Sequence, residues 1–202
     1  MAINTYFQNI ANAIRTKTGS AGLITPAEMP DEILNIPAGD SGVDLTSINF
    51  IGFVITAQRS YDSYIQVCNV RFLDSSDNMI ELPINACTFG AIGGTPLTSA
   101  TEGADKMWRS DALTNHYKTI INKSSGKDFY IFWLKNVAGI DLSNAVKYQW
   151  YTAEDSPSRD PISFGIVFAN GDETDGILKM MNFASNQTIP TNRNVLAYEG
   201  GI

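Results

Sequence analysis

From position 50 onward the chain is a series of short runs rich in β-branched and aromatic residues, each bounded by a cluster of turn formers. The runs lie at residues 50–57, 64–73, 79–82, 129–134, 146–152, 162–169 and 177–183. No long helical pattern is interleaved with them, and strands in series without crossover helices pair antiparallel and bury one face against a second sheet. The expected fold is mainly β, an antiparallel β-sandwich. Asn170-Gly171 reads as a type I′ hairpin, because both residues tolerate positive φ. Residues 90–94 are Gly-Ala-Ile-Gly-Gly, which lacks the Lys-Ser/Thr of a phosphate loop and reads as a flexible turn.

At 202 residues the chain can bury one substantial core and carry a small appendage. Only 17% of residues are charged and 10% are aromatic, which favours β-structure over coiled coil or disorder. A net charge of −7 and a pI near 4.6 oppose nucleic-acid binding, since neutralising phosphates takes clustered Lys and Arg. No apolar run approaches the roughly 20 residues of a membrane span, and no basic segment with an apolar signal core opens the chain. Synthesis and folding in the cytoplasm are expected. Cys68 and Cys87 fall in strand-like segments and are expected as buried free thiols rather than as a disulfide.

The first residues read differently. Ile3, Phe7, Ile10 and Ile14 recur at intervals of four, three and four, which is a short a/d seam. Gly19 and Gly22 stop it, and Thr25, Pro26 and Glu28 give a second helix start that Pro30 interrupts. Helices this short are marginal alone, so the seam needs a partner, either its own sandwich or other copies of the chain. The domain reading is a helical attachment or oligomerisation segment at 1–37, a Gly/Ser/Asp-rich linker at 38–46 and the sandwich at 47–202.

Catalytic chemistry finds little to build on. Nucleophilic triads need a histidine base, and His116 is the chain's single histidine. One His and two separated Cys make no zinc set. Asp155 with Asp160, or Asp172, Glu173 and Asp175, could supply paired carboxylates, but turns are their ordinary home. No enzyme activity and no cofactor are expected. Carbohydrate binding asks instead for aromatics and hydroxyl-bonding groups on loops over a rigid scaffold. Two loop groups have that chemistry: Arg59, Tyr61, Asp62 and Tyr64, and Trp108, Arg109, Asp111, Asn115 and His116. From these, Tyr61, Arg109, Asp111 and His116 are the candidate carbohydrate-binding residues. Trp108 and Tyr117 read as packing.

Two resemblances extend this reading. Residues 10–19, Ile-Ala-Asn-Ala-Ile-Arg-Thr-Lys-Thr-Gly, with 24–33, Ile-Thr-Pro-Ala-Glu-Met-Pro-Asp-Glu-Ile, resemble a short module near the N-termini of bacteriophage and prophage tail and fibre proteins. In that family the module attaches or oligomerises a distal binding domain. Over positions 47–202 the chain resembles discoidin-type (F5/8 type C), galactose-binding-like jelly-roll sandwiches. The likeness is carried by residues 53–59 and 64–74, by 106–111 leading to His116-Tyr117, by the corner at 148–161, and by the closing segment 186–194. In the corner, Asp155, Arg159, Asp160 and Pro161 match the family's structural residues, with Asp155 as a cap and Asp160 expected to pair with Arg159 or a nearby backbone N–H.

The order departs from the family's, since the Ile55-Thr56-Ala57 strand opens the domain here instead of closing it. Arg109 replaces the usual acidic residue of its turn, which removes an oxygen ligand, so no metal is expected. Together the resemblances imply a virion protein, a tail or head fibre that meets other virion proteins and a host-surface glycan. They further imply a homotrimer held through the Ile3, Phe7, Ile10 and Ile14 seam, with avidity raising weak single-site affinity. The competing readings are a decoration protein that binds no glycan and a component of a glycan-degrading enzyme.

Overall fold

The order in which strands sit in the two sheets follows one rule. The computed structural model describes residues 44–109, 118–171 and 179–202, which fall within the compact unit Gly42–Ile202. One sheet contains β1 (Ile48–Gln58), β4 (Thr88–Ile92), β7 (Tyr130–Ile140), β9 (Pro161–Ala169) and β10 (Lys179–Ala184), in the order β10-β9-β1-β7-β4. The other contains β2 (Tyr64–Leu73), β5 (Gly94–Pro96), β6 (Lys118–Lys123), β8 (Lys147–Tyr151) and β11 (Leu196–Gly201), in the order β11-β8-β2-β6-β5, with β3 (Met79–Ile80) paired to β2. All the pairings are antiparallel. Position by position the facing strands are chain neighbours: β1 with β2, β7 with β6, β9 with β8, β4 with β5, β10 with β11. Because neighbours within a sheet run opposite ways, every one of these crossings leaves the sandwich at the same end. That crossing end gathers residues 59–63, 93, 124–129, 152–160 and 185–195.

Alternation along β1 sorts its side chains to two faces. Ile51, Phe53 and Ile55 enter the main core, where they meet Val67, Val70 and Phe72 of β2, Phe132 and Leu134 of β7, Tyr148 and Trp150 of β8 and Phe164, Ile166 and Phe168 of β9. Phe53 stacks on Phe164 at 5.7 Å, and Trp150 meets both edge-on at 6.0 and 5.3 Å, so the two sheets interlock through aromatic pairs. On the opposite face Phe50, Val54, Ile131, Val167 and Ala169 form a second cluster with Trp133 and Ile92 packed against it. Gly52 lies at its centre, and a Cβ there would come within 2.7 Å of Val167 and 2.9 Å of Ile131. The missing side chain lets its neighbours close over the strand.

The antiparallel sandwich and its main strands agree with the sequence reading, and three local expectations are corrected. Residues 90–94 are not a flexible turn. Thr88–Ile92 is an edge strand on β7, and Gly90 provides the floor on which the Trp133 ring lies, 2.3 Å from where a Cβ would stand. Asn170-Gly171 does not make a two-residue hairpin, since β9 ends at Ala169, β10 begins at Lys179, and neither residue has positive φ. The Asn170 amide is instead a bracket: its Oδ1 accepts the Asp44 N–H at 2.6 Å while its Nδ2 donates to the carbonyls of Asp44 and Ser47 at 2.6 and 2.8 Å. Cys68 is buried in β2, where burial pushes its thiol up to about 12, but Cys87 lies outside the strands and is only half-buried. Both are free thiols. The seam residues Ile3, Phe7, Ile10 and Ile14 lie outside the described residues.

Candidate functional site

Two constructions share the crossing end, a scaffold and a cleft. The scaffold centres on Asp160, fully buried at the residue just before β9. Arg193 meets it in a two-pronged pair, Nη1 to Oδ2 at 2.7 Å and Nη2 to Oδ1 at 2.8 Å, and donates Nε to the Ala153 carbonyl at 2.6 Å. Arg59 approaches the same carboxylate at 3.4 Å while donating to the carbonyls of Pro157, Ile189 and Pro190 at 3.0, 2.8 and 3.0 Å. Gln66 adds a donor at 3.3 Å. Burial lifts the Asp160 pKa above its ordinary value, against the pull of Arg193, Gln66 and Arg59. One carboxylate thus ties the β1–β2, β8–β9 and β10–β11 crossings together.

The expected partner of Asp160 is corrected by this geometry. Arg159 points the other way, to Asp62 at 3.4 Å and Asp155 at 3.5 Å, with its guanidinium 5.0 Å from the Tyr64 ring centroid. Asp155 is shared with Lys118 at 3.0 Å, a buried lysine that also meets Glu102 and Glu154 at 3.4 and 3.7 Å. Pro161 is buried at the first position of β9. A central Asp with an Arg from the closing segment is a scaffold by chemistry as well as by position, because every charged group is spent on the fold.

Beside the scaffold a cleft of about 400 Å³ opens between the ends of β1, β6 and β7, lined by Ile55, Gln58, Lys123, Lys127, Asp128 and Tyr130 among others. Its volume falls within the range of about 300–1,000 Å³ typical of ligand pockets. Ile55 and Ile65 form an apolar floor. Lys123 ends β6, and its ammonium stands 5.0 Å from the centroid of the Tyr61 ring and 6.0 Å from that of Tyr130. Gln58 Oε1 accepts one Lys123 N–H at 2.6 Å. The amide is held in that orientation by its Nε2, which reaches the carbonyls of Ser158, Tyr64 and Asp62 at 3.3, 3.4 and 3.5 Å. Desolvation lowers the Lys123 pKa, and the nearby Asp62 charge opposes it. Tyr61 itself is 93% exposed on the β1–β2 loop. Asp62 next to it is already committed, accepting from the Tyr64 N–H at 3.0 Å and Ser158 Oγ at 2.8 Å.

Of the sequence-predicted binding residues, the two described ones, Tyr61 and Arg109, are not brought together. Tyr61 stands at the crossing end. Arg109 follows a 3-10 turn (Lys106–Trp108) between β5 and β6, pairs with Asp105 at 3.1 Å, and lines a separate cavity of about 520 Å³ with Glu81 to Ala86. Asp111 and His116 lie outside the described residues. Trp108 is fully buried, as its packing role requires. Lys123, Gln58 and Tyr130 were not singled out by sequence. The signal that could have found them is the β-branched run Thr119-Ile120-Ile121 ahead of the Ser124-Ser125-Gly126 turn. Among the described residues no three His, Cys, Asp or Glu side chains stand together as a metal ligand set. Comparisons with family models, with curated proteins and with solved structures gave no match to this chain.

Proposed function

We propose that the protein is a bacteriophage or prophage virion protein, a tail or head fibre, whose jelly-roll, discoidin-like domain binds host-surface carbohydrate at the crossing-end cleft. The observation that carries the binding part is the Tyr61 ring, 93% exposed beside a cleft that also offers Lys123, Gln58, Lys127 and Asp128. A solvent-facing aromatic gives the apolar face of a sugar a surface to stack on, and neighbouring polar groups bond its hydroxyls. The cost of leaving such a ring in water favours a role outside the fold. The virion part rests on the N-terminal sequence likeness, with the Ile3, Phe7, Ile10 and Ile14 seam forming a homotrimer that multiplies weak contacts. In this reading the protein turns over no substrate.

A glycan array probed with the full chain and with Tyr61→Ala tests the binding. Retention of a defined glycan set by the former and its loss by the latter is expected, and an array blank for both would defeat the adhesion reading. A second reading, a decoration protein packed against other virion subunits, is favoured by Val137, an apolar side chain 98% exposed on β7.

A further inference from the structure

Lys123 is set apart from the other buried or half-buried cations at the crossing end, Lys127 being exposed. Arg59 and Arg193 are paired with Asp160, Arg159 with Asp62 and Asp155, and Lys118 with Glu102, Glu154 and Asp155. Lys123 forms no ion pair with any described residue, although it is partly buried and lines the cleft. An ammonium carries three N–H donors, and Gln58 Oε1 takes one at 2.6 Å. Partly burying a cation without a direct ion pair costs stability, which the more distant Asp62 offsets only in part, so a site that keeps one has a use for it. The Tyr61 and Tyr130 rings offer it their faces, which stabilises the charge without consuming its donors.

We propose that the cleft selects an acidic saccharide, seating the carboxylate of a uronic-acid-type sugar on the free donors of Lys123 with the sugar ring against Tyr61. The inference rests on the reading of the cleft as a saccharide site. Asp62 and Asp128 stand close to Lys123 and Tyr130, so the local field suits a single negative charge and opposes a dianionic phosphate. Gln58, locked by its own hydrogen bonds, fixes the ammonium in place before the ligand arrives.

The test compares tetragalacturonate with its fully methyl-esterified form, the same backbone without the charge, by calorimetry on the full chain. The acid is expected to bind about tenfold or more tightly than the ester, the scale of one hydrogen bond to a charged group. Lys123→Gln should erase that difference, and Lys123→Arg should keep it. On the unmodified protein the preference should shrink between about 0.05 and about 0.5 M salt, as screening of a partly exposed pair requires, which holds the proposal to account even if Lys123→Gln does not fold. Equal binding of acid and ester, or a preference that survives Lys123→Gln or rising salt, overturns the acidic specificity alone. Binding of neither sugar, with the array also blank, overturns the saccharide site itself.

Discussion

Asp160 shows what a single residue contributes to this fold. Its carboxylate joins segments that are 33 and 101 residues away in sequence, through Arg193 and Arg59. Asp160→Asn leaves two guanidinium groups facing a neutral amide, and removing one partner of a buried pair costs about 3–5 kcal/mol. Urea unfolding should show that loss, and a change below about 1 kcal/mol would mean the pair is not holding the crossings. The corner residues stand out in the sequence, but their partners do not: Asp155 pairs with Lys118 and Arg159 instead of capping the turn, and Asp160 pairs with Arg193 and Arg59. Arg159 is adjacent in the chain and invites pairing, yet the turn that carries it aims its side chain at Asp62 and Asp155. Lys123 was illegible for a related reason, because its proposed value as a binding group comes from what does not face it.

Among the elements, β1, β2, β8 and β9 were readable because both faces or one whole face are apolar, which leaves a continuous signal. The strands missed were β4, β5, β6 and β11. Of these, β4, β5 and β11 are sheet edges, which pair on one side only and need fewer apolar residues, and each contains glycine. β6 is bracketed by Lys118 and Lys123, one buried in an ion-pair cluster and the other turned into the cleft, so its polar ends hide an interior strand. At Gly52 the packing leaves no room for a methyl group, with Val167, Ile131 and Phe50 within 2.7, 2.9 and 3.0 Å of it. Gly52→Ala is expected to cost about 1–3 kcal/mol by overpacking. A rise in the midpoint of thermal unfolding would show instead that the cluster has slack.

For the whole molecule, acid response and assembly are the accessible properties. Hydrogen bonds from Thr46, Asn78 and Ser143 hold the carboxyls of Asp44, Asp74 and Asp141 below 3.8. At Asp62 and Asp105 burial raises the pKa, but hydrogen bonds and the neighbouring Arg159, or Lys106 and Arg109, outweigh it and hold both below 3.8. A folded-state pKa below the unfolded one gives stability that is present above the unfolded value and lost as pH falls through the folded one. Among the described carboxyls Asp160, with its raised pKa, has the opposite sign and offsets part of that loss. The free energy of unfolding should therefore hold between about pH 5 and 6 and decline below about pH 4; greatest stability at about pH 3 would reverse the assignment.

In the proposed reading assembly depends on the N-terminal seam, so solution mass should fall from a trimer for the full chain to a monomer when residues 1–37 are removed. A monomer in both forms would discredit the fibre reading, and the sandwich alone could not rescue it.

The central claim is that saccharide binding occurs in the Lys123 cleft at the crossing end, and amide chemical-shift mapping with tetragalacturonate reaches it most directly. The account predicts shifts concentrated at residues 58–65 and 123–130; shifts concentrated around Arg109 and Glu81 to Ala86, the lining of the other cavity, would contradict it.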